Sequence, residues 1–135
     1  ALGVDALPTF SGQRGLVVDD NEVNLMIAGE LLSQAGLEVE TAQNGAHALE
    51  CLERGHFDMV FMDMQMPVMD GLEATRRIRS QPDKARLPIV AMTANVLATD
   101  RELCLQAGMD DVLTKPIEPE LLLQAVRQYA VTMPG

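Results

Sequence analysis

The sequence is 135 residues long with a mass of 14.7 kDa, about one domain around a single core, and its 47% hydrophobic and 22% charged residues exclude a disordered chain. Ten basic against twenty acidic residues leave a net charge of −10, a field that repels nucleic acid and anionic lipid, and no apolar run approaches the roughly 20 residues of a membrane span. Cys51 and Cys104 stand far apart with no Cys/His cluster around them, which excludes zinc and CxxC redox chemistry and fits reduced, partly buried packing residues of a cytosolic protein.

Residues 1–13, with Gly3, Pro8, Ser11 and Gly12 and little periodicity, read as a linker or arm, and no targeting segment is expected. A domain follows over 14–130, with 131–135 as a tail. Gly15–Val18 is short, apolar and β-branched, a first strand. Glu22–Ala35 then has helical spacing: at about 100° per residue, Leu25, Ala28, Leu31, Leu32 and Ala35 make one apolar face, with Val23, Met26 and Ile27 on the opposite side. Glu38–Ala42 is a second strand and Ala46–Arg54 a second helix, with His47 in it and His56 just beyond. Met59–Met62 is a third strand and Leu72–Ser80 a third helix, opened by Asp70 and Glu73; its Arg76, Arg77 and Arg79 read as a solvated face. Ile89–Met92 and Asp100–Ala107 follow as strand and helix, with Thr99 and Glu102 spaced as a capping box, and Val112–Thr114 and Pro119–Tyr129 complete the series. Gly36, Gly55 and Gly108 follow helix ends.

Strand and helix alternate five times, and strands apolar throughout, such as Leu16-Val17-Val18, fit burial on both faces of a parallel sheet. Five strands are too few for a closed barrel of eight. The expected fold is therefore α/β and flavodoxin-like, a (βα)5 open doubly wound parallel sheet in the order 2-1-3-4-5. Its ligand crevice belongs at the carboxyl ends of strands 1 and 3.

In such a sheet the first polar residues after each strand share one rim. Strand 1 ends in Asp19-Asp20, strand 3 in Asp63, strand 4 in Thr93 and strand 5 in Lys115, whereas strand 2, the expected edge, ends in Ala42-Gln43. Singly, each has a structural explanation, Asp19 and Asp20 as helix caps above all. Together, carboxylates a few ångströms apart repel by about 4 kcal/mol per close pair at an effective dielectric of about 20, and one lysine does not neutralise them. A few hard oxygen ligands with room for water suit Mg²⁺, which leaves one carboxylate to attack phosphorus while Lys115 and Thr93 meet the phosphoryl oxygens. A hydrolase, a phosphoacceptor and a passive ion site all remain compatible with that set. Met59, Met62, Met64, Met66 and Met69 read as packing residues.

Val17-Val18-Asp19-Asp20-Asn21, Met62-Asp63-Met64-Gln65-Met66-Pro67-Val68-Met69-Asp70-Gly71, Met92-Thr93-Ala94 and Lys115-Pro116 resemble, in order and at strand ends, the motifs of a response-regulator receiver domain. The likeness runs from about Arg14 to Tyr129, and Asn24, Gln65 and Gly108-Met109-Asp110-Asp111 are most similar to receivers of hybrid sensor histidine kinases. The resemblance implies that Asp63 takes a phosphoryl group from a phosphohistidine of a histidine kinase and passes it to a histidine phosphotransfer partner. It also implies that Asp20, Asp63 and the Gln65 backbone carbonyl hold Mg²⁺, with Asp19 assisting through water, that Thr93 and Lys115 contact the phosphoryl oxygens, and that Gln65 and Asn95 influence the lifetime of the acyl phosphate. Four-helix phosphotransfer partners dock in that family on the region of Val23, Met26, Ile27 and Pro116. Where many receivers carry Tyr or Phe three positions before the lysine, this chain has Val112, which favours passing the phosphoryl group onward over driving an attached effector.

The resemblance further implies a cytoplasmic domain of a parent chain that is itself a hybrid histidine kinase, anchored at the inner membrane, with no direct membrane contact by the domain and no catalysis beyond its own phosphorylation and dephosphorylation. A stand-alone response regulator is the alternative within the family. A Mg²⁺-dependent phosphohydrolase using Asp63 as nucleophile is the alternative outside it, but Gln65 occupies the position of the required second acid. A flavin or nucleotide module would need a Gly/Ser/Thr-rich phosphate loop where Asp19-Asp20-Asn21-Glu22 stands.

Overall fold

A computed structural model describes residues 13–94, 98–115 and 118–129; the arm apart from Gln13, the tail, Asn95 and Pro116 lie outside them. In chain order the elements are β1 (Arg14–Val18), α1 (Glu22–Gln34), β2 (Glu38–Ala42), α2 (Gly45–Arg54), β3 (Met59–Asp63), α3 (Gly71–Arg79), a 3-10 turn (Pro82–Lys84), β4 (Ile89–Thr93), α4 (Ala98–Ala107), β5 (Asp111–Thr114) and α5 (Pro119–Tyr129). The strands form one parallel sheet in the order β2-β1-β3-β4-β5, the doubly wound order that the alternation of elements implies.

Every residue of β3 and β4 is buried, and successive side chains enter opposite cores because strand side chains alternate. Leu16, Val18, Val60, Met62, Ile89 and Ala91 pack on one face with Ala48 and Leu52 of α2, Ala74 and Ile78 of α3 and Cys104 of α4. Val17, Met59, Phe61, Val90 and Met92 pack on the other, against Leu25, Ala28 and Leu32 of α1 and Leu122 and Val126 of α5. Cys51 and Cys104 are both buried, and burial pushes their thiols above the ordinary range, as expected of inert packing residues.

The helix termini are closed by short polar side chains. Asn21 Oδ1 accepts from the Val23 and Asn24 amides at 2.8 and 3.3 Å, Asn44 Oδ1 from the His47 amide at 2.9 Å, and Asp70 Oδ1 from the Glu73 amide at 2.9 Å. After α1 and α4 the chain reverses through Gly36 (φ 104°) and Gly108 (φ 113°), a backbone region that only glycine enters cheaply.

Three local expectations change. The helix α4 begins at Ala98, two residues before the expected start at Asp100, so position 99 falls within it. The connection after α3 contains a 3-10 turn because Pro82 presets a helical φ at its first position. Arg79 does not lie on a solvated face. Its guanidinium donates to the Gly108 carbonyl at 2.8 Å, the Lys84 carbonyl at 3.0 Å and Asp110 Oδ2 at 3.0 Å, pinning two connections, α3–β4 and α4–β5, at the amino edge of the sheet. Arg76 and Arg77 do stay at the surface, paired with Glu73.

Candidate functional site

The strand register places the acidic residues side by side. Val18 pairs with Met62 across the β1–β3 ladder, so the next residues, Asp19 and Asp63, emerge together at the carboxyl edge; Asp63 in turn pairs with Met92 and Thr93 with Thr114. Backbone bonds from Asp19 to the Ala42 carbonyl (3.0 Å), Met64 to Met92 (3.0 Å) and Lys115 to Thr93 (2.7 Å) extend the pairing past the strand ends and fix this edge.

A cavity of about 220 Å³ opens there, lined by Asp19, Asp20, Asp63, Gln65, Thr93 and Lys115 among others. One carboxylate oxygen from each of Asp19, Asp20 and Asp63 falls within 4.8 Å of the others. Asp19 is wholly buried and Asp63 is 5% exposed, while Asp20 is exposed at the mouth. Thr93 is buried at the end of β4. The Lys115 ammonium lies 2.9 Å from Asp19 Oδ2 and 3.2 Å from Asp63 Oδ2.

Helix capping does not account for the acidic pair, because Asn21 makes the cap. Asp19 is instead a recipient: Oδ1 accepts from the Asn21 amide at 2.9 Å, and Oδ2 accepts from Asn24 Nδ2 at 3.2 Å as well as from Lys115. Asn24 thus fixes the orientation of Asp19, a role that helical spacing could have suggested, since Asn24 occupies the first turn of α1 one residue before the core-facing Leu25. The Asp63 carboxylate accepts at Oδ1 from the Gln65 amide at 3.3 Å.

These surroundings act in opposite directions. Burial, then the Asp19 charge, push the Asp63 carboxyl up to about 6, although Lys115 and the Gln65 amide favour its ionised form. Burial pulls the Lys115 ammonium down, but hydrogen bonding and charge from Asp19 and Asp63 outweigh it and hold Lys115 above its ordinary value. Three carboxylates and one ammonium leave an excess of negative charge. The oxygen donors and the open volume suit a hard divalent cation that keeps part of its water.

The α3 terminus is pressed against this edge. A methyl group on Gly71 would collide with the Asp63 carbonyl, and the Gly71 amide donates to the Met64 carbonyl at 3.0 Å. Glycine is therefore required for α3 to start directly behind the acidic strand end, a need that composition alone does not reveal.

Val23, Met26 and Ile27 project from α1 into solvent at 56%, 62% and 45% exposure, opposite the face that Leu25, Ala28 and Leu32 bury. A larger cavity, about 580 Å³, lies at the opposite edge of the sheet. Its walls mix Arg54, Lys84 and Arg86 with Glu53, Asp58 and Asp83, so no charge of one sign accumulates there. His47 and His56 stand away from the acidic cavity: His47 Nδ1 is 3.3 Å from the Gln43 amide, and His56 pairs with Asp58 at 3.0 Å. Among the described residues no helix is long and apolar enough to cross a membrane.

Comparison with known proteins bears on this site. Residues 16–127 match the family described as "Response regulator receiver domain". Sensor protein GacS of Pseudomonas syringae pv. syringae is 42% identical over 96% of this chain and 15% of its own length; the chain spans only about a seventh of the length of the curated relatives it matches. Among solved structures, the receiver domain of sensor histidine kinase PA1611 from Pseudomonas aeruginosa PAO1, with a magnesium ion coordinated in its active-site cleft, is 42% identical. That match covers 89% of this chain and 98% of the other, with a TM-score of 0.82. The receiver domain of Ssk1, in complex with the Saccharomyces cerevisiae histidine phosphotransfer protein Ypd1, is 30% identical over 92% of this chain and 90% of the other, with a TM-score of 0.82.

Proposed function

The chain belongs to the response-regulator receiver domain family, and from that premise we propose that it is a phosphorelay acceptor in which Asp63 receives a phosphoryl group from a phosphohistidine and yields it to a histidine phosphotransfer partner. The observation that carries this reading is the Asp63 carboxylate on the floor of an open acidic cavity, 3.2 Å from the Lys115 ammonium and beside a second buried carboxylate.

In the proposed reaction an Asp63 carboxylate oxygen bonds to phosphorus, the phosphorus–nitrogen bond breaks, and its electron pair leaves on the donor imidazole, which is neutralised by a proton. Lys115 offsets charge on the transferring oxygens from within hydrogen-bond reach of Asp63 Oδ2. Thr93, at the end of the neighbouring strand, supplies a hydroxyl to another of those oxygens. Asp19, Asp20, Asp63 and the Gln65 backbone carbonyl would hold Mg²⁺, which supplies charge neutralisation for the incoming phosphoryl group. The magnesium described for the PA1611 receiver supports that choice of ion. Asp19, held by Asn24, Lys115 and its own turn, serves as the fixed wall of the site.

On the same reading the domain spans 14–130, with 1–13 as an arm and 131–135 as a tail, within a longer hybrid histidine kinase whose receiver faces the cytoplasm; its identity with part of GacS supports that context. The exposed residues Val23, Met26 and Ile27 are the apolar docking patch for the phosphotransfer partner, and the Ypd1 complex of a similar receiver supports a partner of that kind.

Beryllofluoride with Mg²⁺ tests the acceptor directly. Acetyl phosphate should add one phosphoryl group to the wild type, and mass spectrometry should find it on Asp63. Asp63→Asn should take up neither phosphoryl nor beryllofluoride; equal labelling of both proteins would overturn the assignment.

A further inference from the structure

Outside the acidic cluster, the described residue whose backbone conformation least suits its own side chain is Val68. It lies in the connection between β3 and α3, with φ at 69°, the one non-glycine residue in the left-handed region among those described. A β-branched side chain is the least suited to that region, because both of its branches crowd the backbone. The strain is imposed by the surroundings. The Gly71 amide donates to the Met64 carbonyl at 3.0 Å and closes the connection, the Met69 amide donates to the Pro67 carbonyl at 2.7 Å across Val68 itself, and the Gly45 amide donates to the Met69 carbonyl at 2.9 Å. Pro67 further restricts the approach.

The side chain gains nothing from the fold in return, since Val68 is 83% exposed, more than any other large apolar residue described. Glycine or asparagine would adopt this backbone with less strain. A single exposed apolar residue is unremarkable, but an exposed residue held in a conformation that disfavours its own side chain needs a use.

Its position supplies one. Asp63 lies on the floor of the acidic cavity, 5% exposed, and Met64 and Gln65, which line that cavity, begin the connection that carries Val68. A protein that brings a phosphohistidine down to that floor must lay the surface around its histidine on the surrounding connections, whereas a small phosphodonor enters without touching them. We propose that Val68 is a specificity-determining contact for the protein that exchanges the phosphoryl group, its isopropyl group packing on the apolar flank of the helix bearing the reactive histidine. This inference rests on the phosphoacceptor reading of Asp63.

The test compares donors of two sizes on the full chain and its Val68→Gly and Val68→Asn variants: acetyl phosphate with Mg²⁺, and Ypd1 phosphorylated on its histidine. Both variants should label with acetyl phosphate within about twofold of the wild type and melt no lower than it. Transfer from the protein donor should fall by about tenfold in kcat/KM, the effect of losing one well-buried aliphatic contact. Unchanged transfer from the protein donor would overturn the proposal, as would equal losses with both donors, which would make Val68 a support of the acceptor geometry. Transfer from acetyl phosphate but none from phosphorylated Ypd1 to the wild type would overturn the assigned occupant. Failure of the wild type to label at Asp63 with acetyl phosphate would remove the acceptor reading itself.

Discussion

Lys115 stands closer to Asp19 than to the proposed acceptor Asp63, 2.9 Å against 3.2 Å, and Asp19 is the more completely buried of the two carboxylates. The lysine therefore has a structural duty beside the chemical one: it is the counter-charge for a carboxylate with no access to water. Removing one partner of a buried ion pair leaves the other uncompensated, at a cost of about 3–5 kcal/mol. Lys115→Met should accordingly lower the stability of the metal-free domain by about 3 kcal/mol. Added Mg²⁺ should restore more of the melting temperature in the variant than it adds to the wild type, because the cation then replaces the missing charge. Thermal melts in EDTA and in millimolar Mg²⁺ measure both effects.

The raised Asp63 carboxyl gives a pH dependence whose sign is fixed. In the unfolded chain this group titrates near about 4, and in the fold near about 6. Below the first value both states are protonated and the fold bears no cost. Between the two values the cost grows, and above about 6 it is present in full. With respect to this group, the metal-free domain should be more stable near pH 5 than near pH 7.5, by at most about 1.4 kcal/mol, since about half of the cost is already present at pH 5, and by less once water at the cavity mouth screens the charges. A divalent cation competes with the same proton. Its affinity should be flat above pH 7 and weaken toward about tenfold per unit below about 6. Calorimetric Mg²⁺ titrations across that range would show a pH-independent affinity if Asp63 were not a ligand.

The legibility of this molecule in its sequence follows from which interactions are local. The alternation of short β-branched runs with amphipathic stretches fixes the order of elements, and the apolar character of Leu16-Val17-Val18 marks strands covered on both faces, as β1 and β3 are. The rim is legible for the same reason: in a parallel sheet, the residues that follow every strand share an edge, so Asp19, Asp63, Thr93 and Lys115 converge despite their separation along the chain. What the pattern does not carry is side-chain geometry between distant loops. The Arg79 guanidinium looks solvated by helical periodicity because two of its three acceptors, the Gly108 carbonyl and Asp110, come from a connection far away in sequence. Likewise, nothing local to Val68 announces a left-handed backbone; the hydrogen bonds around it impose the conformation.

Gly71 offers a test of how tightly α3 is set behind the acceptor strand. In Gly71→Ala the new methyl group would meet the Asp63 carbonyl, a backbone atom that cannot move without displacing the end of β3. Overpacking of this kind costs about 1–3 kcal/mol, and here the displacement would be delivered to the site. The variant should be destabilised in urea and should also bind Mg²⁺ at least about tenfold more weakly, as expected for a ligand shifted by a fraction of an ångström. A destabilised variant with unaltered Mg²⁺ affinity would mean that the strain relaxes into the helix instead.

Val112 bears on what phosphorylation does to the rest of the domain. It is 9% exposed and packs in the same core as Ala91 and Cys104. With no aromatic ring at this position to exchange between buried and exposed rotamers, β5 lacks that route for transmitting a change at Thr93 to its outer face. Beryllofluoride with Mg²⁺ should therefore shift amide resonances around Asp63, Thr93 and Lys115 while leaving unmoved those around Asp111, which pairs with Arg101 at 3.9 Å and with the Tyr129 hydroxyl at 3.2 Å. Large shifts there would show a different two-state element.

Helix α1 separates stability from docking, because its two apolar faces have different fates. Leu32 is wholly buried against the sheet, and Leu32→Ala should cost about 2–5 kcal/mol through the lost contacts and the cavity left behind. Met26 is 62% exposed on the opposite side, so Met26→Asp should change stability by no more than about 0.5 kcal/mol. If Val23, Met26 and Ile27 receive a partner helix, the same substitution places a desolvated charge in the centre of the contact. Transfer from a phosphorylated histidine protein should then slow by about tenfold or more, whereas labelling by acetyl phosphate should not change. Rapid-quench measurement of both reactions on one preparation distinguishes the outcomes: equal rates with the protein donor would return the α1 patch to ordinary exposed surface, while a parallel loss with both donors would show that the charge perturbs the neighbouring Asp19–Asp20 turn.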